Sequence, residues 1–247
     1  MFEESYVLAV GMAQECGKMM LAKINGASIN TKEHAADAGL VTEVDLKIEK
    51  YVKDKIAQYF PDHRFIGEET DGQRTLTDEP TWIVDPIDGT TNFIHGFPEF
   101  CISIGFFNRR KAVFGVVFIP KTNSLYTARR GEGAFLNGER IHVSGNKDIK
   151  DCLILNEVGC PLSKRPDVFR TKMRNFENLS AVSRGLRCVG SAVVSMCYVA
   201  RGVADGYVEF GLHCWDVAAG HLIVEESGGI VLGANGEHWI GFDRIPG

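Results

Sequence analysis

Apolar positions recur at helical spacing in two segments of the first part of the chain. Residues 3–24 carry one such pattern, which Asn25 and Gly26 end. Residues 43–60 carry the other, which Pro61 closes. The segment 28–41 between them has no clear period and is predicted to be a loop. The inward positions predicted are Tyr6, Val7, Val10, Cys16 and Met20 in the first helix and Ile48, Tyr51, Val52, Ile56 and Tyr59 in the second.

Short β-rich runs dominate the middle of the chain. They lie at residues 65–66, 82–84, 102–107, 113–119, 125–128 and 134–136. Turn residues divide them, including residues 108–111 and the pair Asn137 and Gly138. This pattern predicts a meander of antiparallel strands rather than strict alternation of strands and helices.

From residue 152 onward the pattern alternates between strands and helices. Strands are predicted at 153–158, 186–189, 206–210 and after Gly229, and helices at 167–178, 191–201 and 215–226. Such alternation is typical of α/β structure. No internal repeat or flexible linker interrupts the sequence. We therefore expect one domain over residues 1–247, with an α+β half of about 1–150 and an α/β half of about 151–247.

Composition narrows the class of protein. Of the 247 residues, 45% are hydrophobic and 24% are charged, which is ordinary for a globular protein with a buried core. The net charge of −5 provides no basic field for nucleic acid or an anionic membrane. The acidic N-terminus does not resemble a signal peptide, and no apolar run approaches ~18 residues. A mildly acidic protein that binds a phosphate substrate would need cations in its binding site to offset the negative charge.

Cysteine and histidine usage indicates neither a disulfide framework nor a zinc site. The seven cysteines are odd in number and contain no C-x-x-C pair, so we expect reduced thiols in a cytoplasmic protein. His95, His213 and His221 have no zinc-like spacing with cysteine and are interpreted as structural.

Residues 82–92, WIVDPIDGTTN, contain the densest chemistry. An apolar strand leads into Asp85 and Asp88, while Pro86 fixes φ and Gly89 permits a tight turn. Two carboxylates brought together repel each other unless a cation lies between them, and all-oxygen ligation suits a hard ion such as Mg²⁺. Amides after Gly89 would suit an anion if a helix or nest begins there. The alternative, a surface turn, leaves the flanking strand and the Gly-Thr-Thr run unexplained.

This stretch resembles the first signature of the inositol monophosphatase family, a lithium-sensitive branch of the metal-dependent sugar phosphatases. Residues 65–70, FIGEET, and 212–220, LHCWDVAAG, resemble two further motifs of that family. Taken alone, a pair of glutamates is typical of a solvated loop, and an aspartate near a helix start is typical of capping. The resemblance implies instead that Glu68 and Asp216 bind metal and that Glu69 helps to organise the attacking water.

Thr42 and Asp45 have the spacing of a helix N-cap and its third residue. Capping explains this pair without any function. The resemblance adds that Asp45 hydrogen-bonds Thr90 and so helps to orient the water.

Two other places bear on substrate binding. Gly190, Ser191 and Ala192 open an apolar helix, where Ser191 suits an N-cap and the same residues could contact a ligand. Glu209 lies in a β-rich run, either as a solvent-facing strand residue or, as the resemblance implies, as an acceptor for hydroxyls of an inositol ring.

The resemblance covers residues 1 to about 235 and implies a layered αβαβα sandwich of the inositol monophosphatase and fructose-1,6-bisphosphatase type, usually homodimeric. It implies that a metal-activated water attacks inositol monophosphate directly, with two or three Mg²⁺ ions per site and no phosphoenzyme. The implied metal ligands are Glu68, Asp85, the Ile87 carbonyl, Asp88 and Asp216. The implied catalytic residues are Glu68, Glu69, Thr90 and Asp45, and the implied substrate contacts are Asp88, Gly89, Thr90, Gly190, Ser191, Ala192, Glu209 and Asp216.

Other functions stay open at this point. Within the same fold the substrate could be histidinol phosphate, a nucleotide 3′-phosphate or fructose 1,6-bisphosphate, although Glu209 and the compact length favour an inositol phosphate. A protein of another class, a binding partner with a silent site, is disfavoured by the intact set of acids. We expect a small phosphate monoester as the ligand, with neither nucleic acid nor membrane as a partner.

The end of the sequence departs from the family pattern. Relatives continue past the Gly228-Gly229 strand with a further strand and a helix, whereas residues 235–247 have no helical period of sufficient length. A missing strand leaves an unpaired edge or an uncovered face, and Trp239, Ile240 and Phe242 would form an apolar patch if exposed. We therefore expect the tail to fold back over the gap or a partner subunit to cover it, and a lower thermal stability than in a longer relative.

Overall fold

A computed structural model describes residues 2–24, 31–33, 40–69, 75–159, 165–233 and 235–237. The helices are α1 (Glu3–Ile24), α2 (Glu43–Tyr59), α3 (Thr90–His95), α4 (Pro166–Val182), α5 (Ala192–Ala200), α6 (Cys214–Val217) and α7 (Gly220–Glu226). The strands are β1 (Thr31–Glu33), β2 (Leu40–Thr42), β3 (Arg64–Gly67), β4 (Thr81–Asp88), β5 (Cys101–Asn108), β6 (Lys111–Ile119), β7 (Ser124–Arg129), β8 (Gly133–Leu136), β9 (Glu139–Arg140), β10 (Leu153–Asn156), β11 (Gly185–Arg187) and β12 (Gly206–Val208).

The large sheet has seven strands in the order β3-β4-β5-β6-β7-β8-β9. Strands β4 to β9 pair antiparallel with their sequence neighbours, which confirms the predicted meander, and β3 joins β4 in parallel. Two of its turns have two residues at positive φ, Arg109 with Arg110 and Asn137 with Gly138. That geometry matches the right-handed twist of the flanking strands, so these turns also set the register of the hairpins.

Successive residues of the central strands face opposite sides of the sheet and so supply two separate cores. Trp82, Val84 and Phe106 pack with α1 and α2 on one side. Ile83 and Phe107 belong to the core on the other side, which α5 and α7 cover. Each fully buried side chain of this size contributes roughly 1.5–3 kcal/mol, and the two cores together hold the large sheet between helical layers.

The second sheet is parallel and small, in the order β11-β10-β12. Helix α4 packs on β11, and α5 packs on β12 as well as on the large sheet. The layers are therefore α1 with α2, the seven-stranded sheet, α5 to α7, the three-stranded sheet and α4. This is the αβαβα sandwich that the resemblance implied.

The first two predicted helices are confirmed in position, but one inward residue predicted in each of them is wrong. Val7 is 61% exposed on α1 and Tyr59 is 58% exposed on α2. The cause on α1 is that small side chains form the buried face, which lets the helix approach the sheet closely. The buried residues of α1 are Ser5, Ala9, Met12, Ala13, Cys16, Gly17 and Met20.

Three other predictions need correction. Within the segment predicted to be a loop, β1 pairs antiparallel with β2. The helix predicted over 215–226 is two helices, α6 and α7, separated by Ala218 and Ala219. Of the strand predicted after Gly229, the described residues contain only an isolated bridge at Leu232, outside the three sheets, and Ile230 and Leu232 are exposed there. A segment becomes a strand only where its backbone groups find a partner strand.

Residues 25–26 and the tail at 238–247 lie outside the described residues, so the predictions about them stay predictions. Among the helices that the structure describes, none combines the length and apolar composition needed to cross a bilayer.

Candidate active site

Asp85 and Asp88 lie at the end of β4, and both are buried. In a regular strand, residues three positions apart face opposite sides of the sheet. Here the pairing with β5 shifts between them, because Asp85 lies opposite Ser103 and Asp88 opposite Cys101. This bulge adds one residue to β4 and turns both carboxylates toward the same place.

Asp216 completes a cluster of three carboxylates. It lies on α6, where its Oδ2 accepts the backbone N–H of His213 at 2.6 Å. Ligand atoms of Asp85, Asp88 and Asp216 all lie within 4.8 Å of one another. The structure thus brings together residues that are 128 positions apart in the sequence, at the separation that a shared cation requires.

Glu68 joins this cluster from the neighbouring strand. Since β3 and β4 are parallel, with Gly67 opposite Val84, the residues that follow them lie side by side. The carboxyl groups of Glu68 and Asp85 interact, and the charge of Glu68 contributes to the raised pKa of Asp85. Burial raises the pKa of Glu68 to about 8, with further contributions from the negative charges of Glu69 and Asp45.

The electrostatics of the cluster favour a bound cation. Burial raises the pKa of Asp85 well above its usual range, and repulsion from Glu68, Asp88 and Asp216 adds to this. The pKa of Asp216 is raised in the same way by burial and then by Asp88. Oδ1 of Asp85 is buried and accepts no hydrogen bond within the described chain. An oxygen left in this state is a suitable ligand for a hard cation.

Asp88 differs from its neighbours because the start of α5 stabilises its charge. Its carboxylate accepts hydrogen bonds from the Ser191 hydroxyl, from Val193 N at 2.8 Å and from Ala192 N at 3.3 Å. Burial raises the pKa of Asp88, and these bonds lower it. Of the residues predicted to contact substrate, Ser191 and Ala192 therefore lie directly against a predicted metal ligand, and Gly190 precedes them in the chain. Ser191 is also the N-cap of α5, as its sequence position indicated.

The turn after Asp88 opens the short helix α3. Gly89 has φ of +86° and is the N-cap residue of α3, so the helix begins at Thr90. An added side chain at Gly89 would approach Glu99 O at 2.8 Å, which excludes larger residues. The Thr90 hydroxyl donates to the Ile87 carbonyl at 3.0 Å. The hydrogen bond between Thr90 and Asp45 implied by the resemblance stays a prediction.

Asp45 and Glu69 lie beside the cluster. Asp45 is buried and forms the predicted capping box with Thr42, which donates to it through N–H and hydroxyl. Its negative charge contributes to the raised pKa of Glu68, Glu69 and Asp85. Burial raises the pKa of Glu69 to about 8, with contributions from Asp45 and Glu49. The capping and functional interpretations of Asp45 are therefore compatible.

Glu209 lies just past β12, within electrostatic range of Asp88 and Asp216. Burial raises its pKa to about 7, and the hydrogen bond donated by the Tyr207 hydroxyl opposes this rise. Glu209 is partly buried rather than solvent-facing, and it borders a cavity of about 900 Å³. None of the cluster's four carboxylates, Glu68, Asp85, Asp88 and Asp216, lines that cavity, so the cavity adjoins the site without containing it.

Three residues near the site escaped prediction. Glu49 is fully buried and accepts the Glu69 N–H at 2.8 Å. Glu157 accepts the N–H groups of Val189 at 2.5 Å and Gly190 at 2.7 Å, and so holds the loop that leads to Ser191. His213, interpreted as structural, places Nδ1 3.8 Å from Asp216. Only Glu49 carried a sequence signal, an acid on the apolar face of a helix one turn after Asp45.

Comparison with known proteins finds relatives that match nearly the whole chain. The model of the inositol monophosphatase family matches residues 1–245. Inositol monophosphatase 1 of Xenopus laevis is 45% identical over 235 residues, which cover 93% of this chain and 82% of that protein. An IMPase of Thermotoga maritima has a TM-score of 0.84 at 31% identity, covering 96% of this chain and 88% of that one.

A further solved structure contains a ligand. SaIMPase-II with inositol monophosphate bound has a TM-score of 0.76 at 28% identity, covering 91% of this chain and 80% of that one. The family match extends over nearly the whole sequence and includes every carboxylate of the cluster. The chain therefore belongs to the inositol monophosphatase family.

Proposed function

We propose that this protein is a Mg²⁺-dependent phosphomonoesterase that hydrolyses inositol monophosphate to inositol and inorganic phosphate. The observation that carries the proposal is the convergence of three carboxylates, Asp85, Asp88 and Asp216, in a protein whose family membership covers residues 1–245. The relative from Xenopus laevis is an inositol monophosphatase by name, and SaIMPase-II holds inositol monophosphate.

The donor set fits magnesium. All the cluster's side-chain ligands are carboxylates, and the buried Oδ1 of Asp85 has no protein donor in the described chain. Hard oxygen ligands of this kind suit Mg²⁺ better than zinc or copper. Bound Mg²⁺ would lower the pKa of the attacking water and stabilise charge on the departing alkoxide. The residues that would hold two or three such ions are Glu68, Asp85, the Ile87 carbonyl, Asp88 and Asp216.

The chain's own groups would orient the reactants. Glu69 and Asp45, whose negative charges both act on Glu68, would together with Thr90 position the attacking water. The amides of Gly89 and Thr90, at the start of α3, would donate to phosphate oxygens, because the first amides of a helix have no partner within it. Holding the ester and the water in reacting geometry accounts for much of the rate gain in such a site.

Substrate choice would depend on the side of the site that faces β12 and α5. Glu209 would accept hydrogen bonds from ring hydroxyls, and Ser191 with Ala192 would contact the sugar beside Asp88. A carboxylate acceptor to a hydroxyl contributes roughly 1.5–3 kcal/mol. This interaction distinguishes a polyol phosphate from an ester without ring hydroxyls.

Three finer properties belong to the same proposal. We propose that the protein forms a homodimer, that it acts in the cytoplasm and that lithium inhibits it, as the family resemblance implies. Light scattering coupled to gel filtration tests the first, and inhibition of phosphate release by millimolar-scale LiCl tests the last.

The experiment that tests the function is phosphate release from a panel of esters. We expect the highest kcat/KM for an inositol monophosphate, above histidinol phosphate, a nucleotide 3′-phosphate and fructose 1,6-bisphosphate. Activity should disappear in excess EDTA and return with Mg²⁺. Full turnover in EDTA would refute the metal-dependent chemistry, and preference for another ester would replace the proposed substrate.

A further inference from the structure

Glu49 is a buried acid that the proposed reaction does not use. It lies on α2 one turn after Asp45, with no side-chain exposure. Its Oε2 accepts the backbone N–H of Glu69 at 2.8 Å. Its Oε1 is buried and accepts no hydrogen bond within the described chain. A side chain needed only for packing would be apolar at such a place, because burying a carboxylate with one oxygen unsatisfied is unfavourable.

The same carboxylate also contacts the residue on the other side of Glu68. A methyl group added at Gly67 would overlap Oε2 of Glu49 and approach its Cδ at 2.5 Å. The Glu49 carboxylate therefore lies against the Gly67 backbone and is bonded to the Glu69 backbone. Glu68, between these two, is held at both ends by one side chain from α2.

We propose that Glu49 is a positioning residue that aims Glu68 at Asp85. The carboxylate fixes the backbone where β3 ends, so that Glu68 leaves the strand toward Asp85, with whose carboxyl group it interacts. Groups behind metal ligands act in this way by removing alternative orientations. This inference rests on the proposed role of Glu68 as a magnesium ligand.

Two neutral variants isolate the hydrogen bond from the charge. Glu49→Gln keeps an oxygen that can accept the Glu69 N–H, and Glu49→Met keeps the bulk without an acceptor. Both remove the same negative charge, so a difference between them reports the acceptor alone. Asp205→Asn is the control, since Asp205 accepts a backbone N–H from Leu153 at 2.7 Å and supports β10 instead of the acid cluster.

The first readout is the rise in melting temperature with added Mg²⁺, without substrate. We expect Glu49→Gln to keep its half-saturating Mg²⁺ concentration within about threefold of the wild type, whereas Glu49→Met raises it roughly tenfold or more. The second readout is steady-state kinetics with inositol monophosphate at saturating Mg²⁺. There Glu49→Met should lower kcat while leaving KM within about twofold. The reason is that Glu49 contacts the backbone of Gly67 and Glu69, on either side of Glu68, and not the part of the site where Glu209 is proposed to bind the sugar.

The outcomes separate the two proposals. One outcome would overturn the positioning role: wild type, Glu49→Gln and Glu49→Met all respond equally to Mg²⁺. In that case each Glu49 variant would melt lower than the wild type by the same amount at every Mg²⁺ concentration, as Asp205→Asn does. Should Glu49→Met fail to fold, Glu49→Asp replaces it, because its shorter side chain withdraws the acceptor and must also weaken the Mg²⁺ response. A wild-type protein with no Mg²⁺ response would overturn the proposed metal site itself.

Discussion

Replacing Asp85 by asparagine separates what the acid cluster does for function from what it does to stability. Asn keeps the shape of the side chain and removes one charge. Asp85 is 1% exposed, and its ligand atom lies within 4.8 Å of those of Asp88 and Asp216. The substitution should therefore relieve repulsion in the metal-free protein while it removes one of the proposed Mg²⁺ ligands.

The size of each effect follows from these distances. At an effective dielectric constant of about 20, two unit charges this close repel by roughly 3 kcal/mol. Burial raises the pKa of Asp85 well above its usual range, so we take this repulsion as the upper limit of the relief and expect about 1–3 kcal/mol. For a protein of this size that corresponds to a rise in Tm of roughly 2–10 °C. The loss of a metal ligand should lower kcat at least about 100-fold, or about 2.7 kcal/mol.

The assay is thermal unfolding of both proteins in excess EDTA and in saturating Mg²⁺. We expect Asp85→Asn to melt above the wild type in EDTA and below it in Mg²⁺. Asp205→Asn is the control, because Asp205 is a hydrogen-bonded carboxylate that lies outside the cluster. It should lower Tm under both conditions.

Two results would refute this reasoning. A lower Tm for Asp85→Asn in EDTA would show that repulsion does not destabilise the cluster. An unchanged Mg²⁺ response with wild-type kcat would show that Asp85 is not a ligand.

Two further predictions address the substrate side and the core. Glu209→Gln should lower kcat/KM for inositol monophosphate roughly tenfold more than for a simple phosphate ester without ring hydroxyls; equal losses would place Glu209 outside the substrate pocket. His221 is buried against Val217 O, and burial lowers its pKa to about 4. As pH falls below about 6.5, His221 therefore takes up a proton in the unfolded chain before it does so in the folded protein. The free energy of unfolding falls by about 2 kcal/mol between pH 7 and pH 5 as a result. His221→Asn should remove this share of the acid destabilisation, seen as a smaller drop in unfolding free energy than in the wild type; identical pH slopes would contradict it.

The sequence predicted most of the large sheet because its signals are local. The turn at residues 137–138 and the apolar runs beside it are enough to predict hairpins, and the structure has them. The strand predicted after Gly229 shows the limit of such signals, because in the described chain it is reduced to a bridge at Leu232. An apolar run predicts that a segment can be a strand, whereas pairing depends on a partner far away in the sequence.

The sequence indicated which residues belong to the candidate site but not how they are arranged in space. Asp85 and Asp88 stand out in the sequence, yet the bulge that turns them to one side depends on the register with β5. Glu157 could not be predicted, because its role comes from hydrogen bonds to residues 189 and 190, more than 30 positions away. Side chains that bind backbone groups leave no fixed spacing between partners.

Asp88 connects the carboxylate cluster with the part of the site that is proposed to bind the sugar. It is the carboxylate whose charge the start of α5 stabilises, through Ser191, Ala192 and Val193. The loop that supplies these donors is held by Glu157, and the same loop is expected to contact the sugar. A movement of this loop upon substrate binding would therefore move Asp88 as well, and with it the metal geometry. Binding energy from the sugar can in this way improve the alignment at the phosphate, which explains why a substrate that lacks ring hydroxyls should lose kcat as well as affinity.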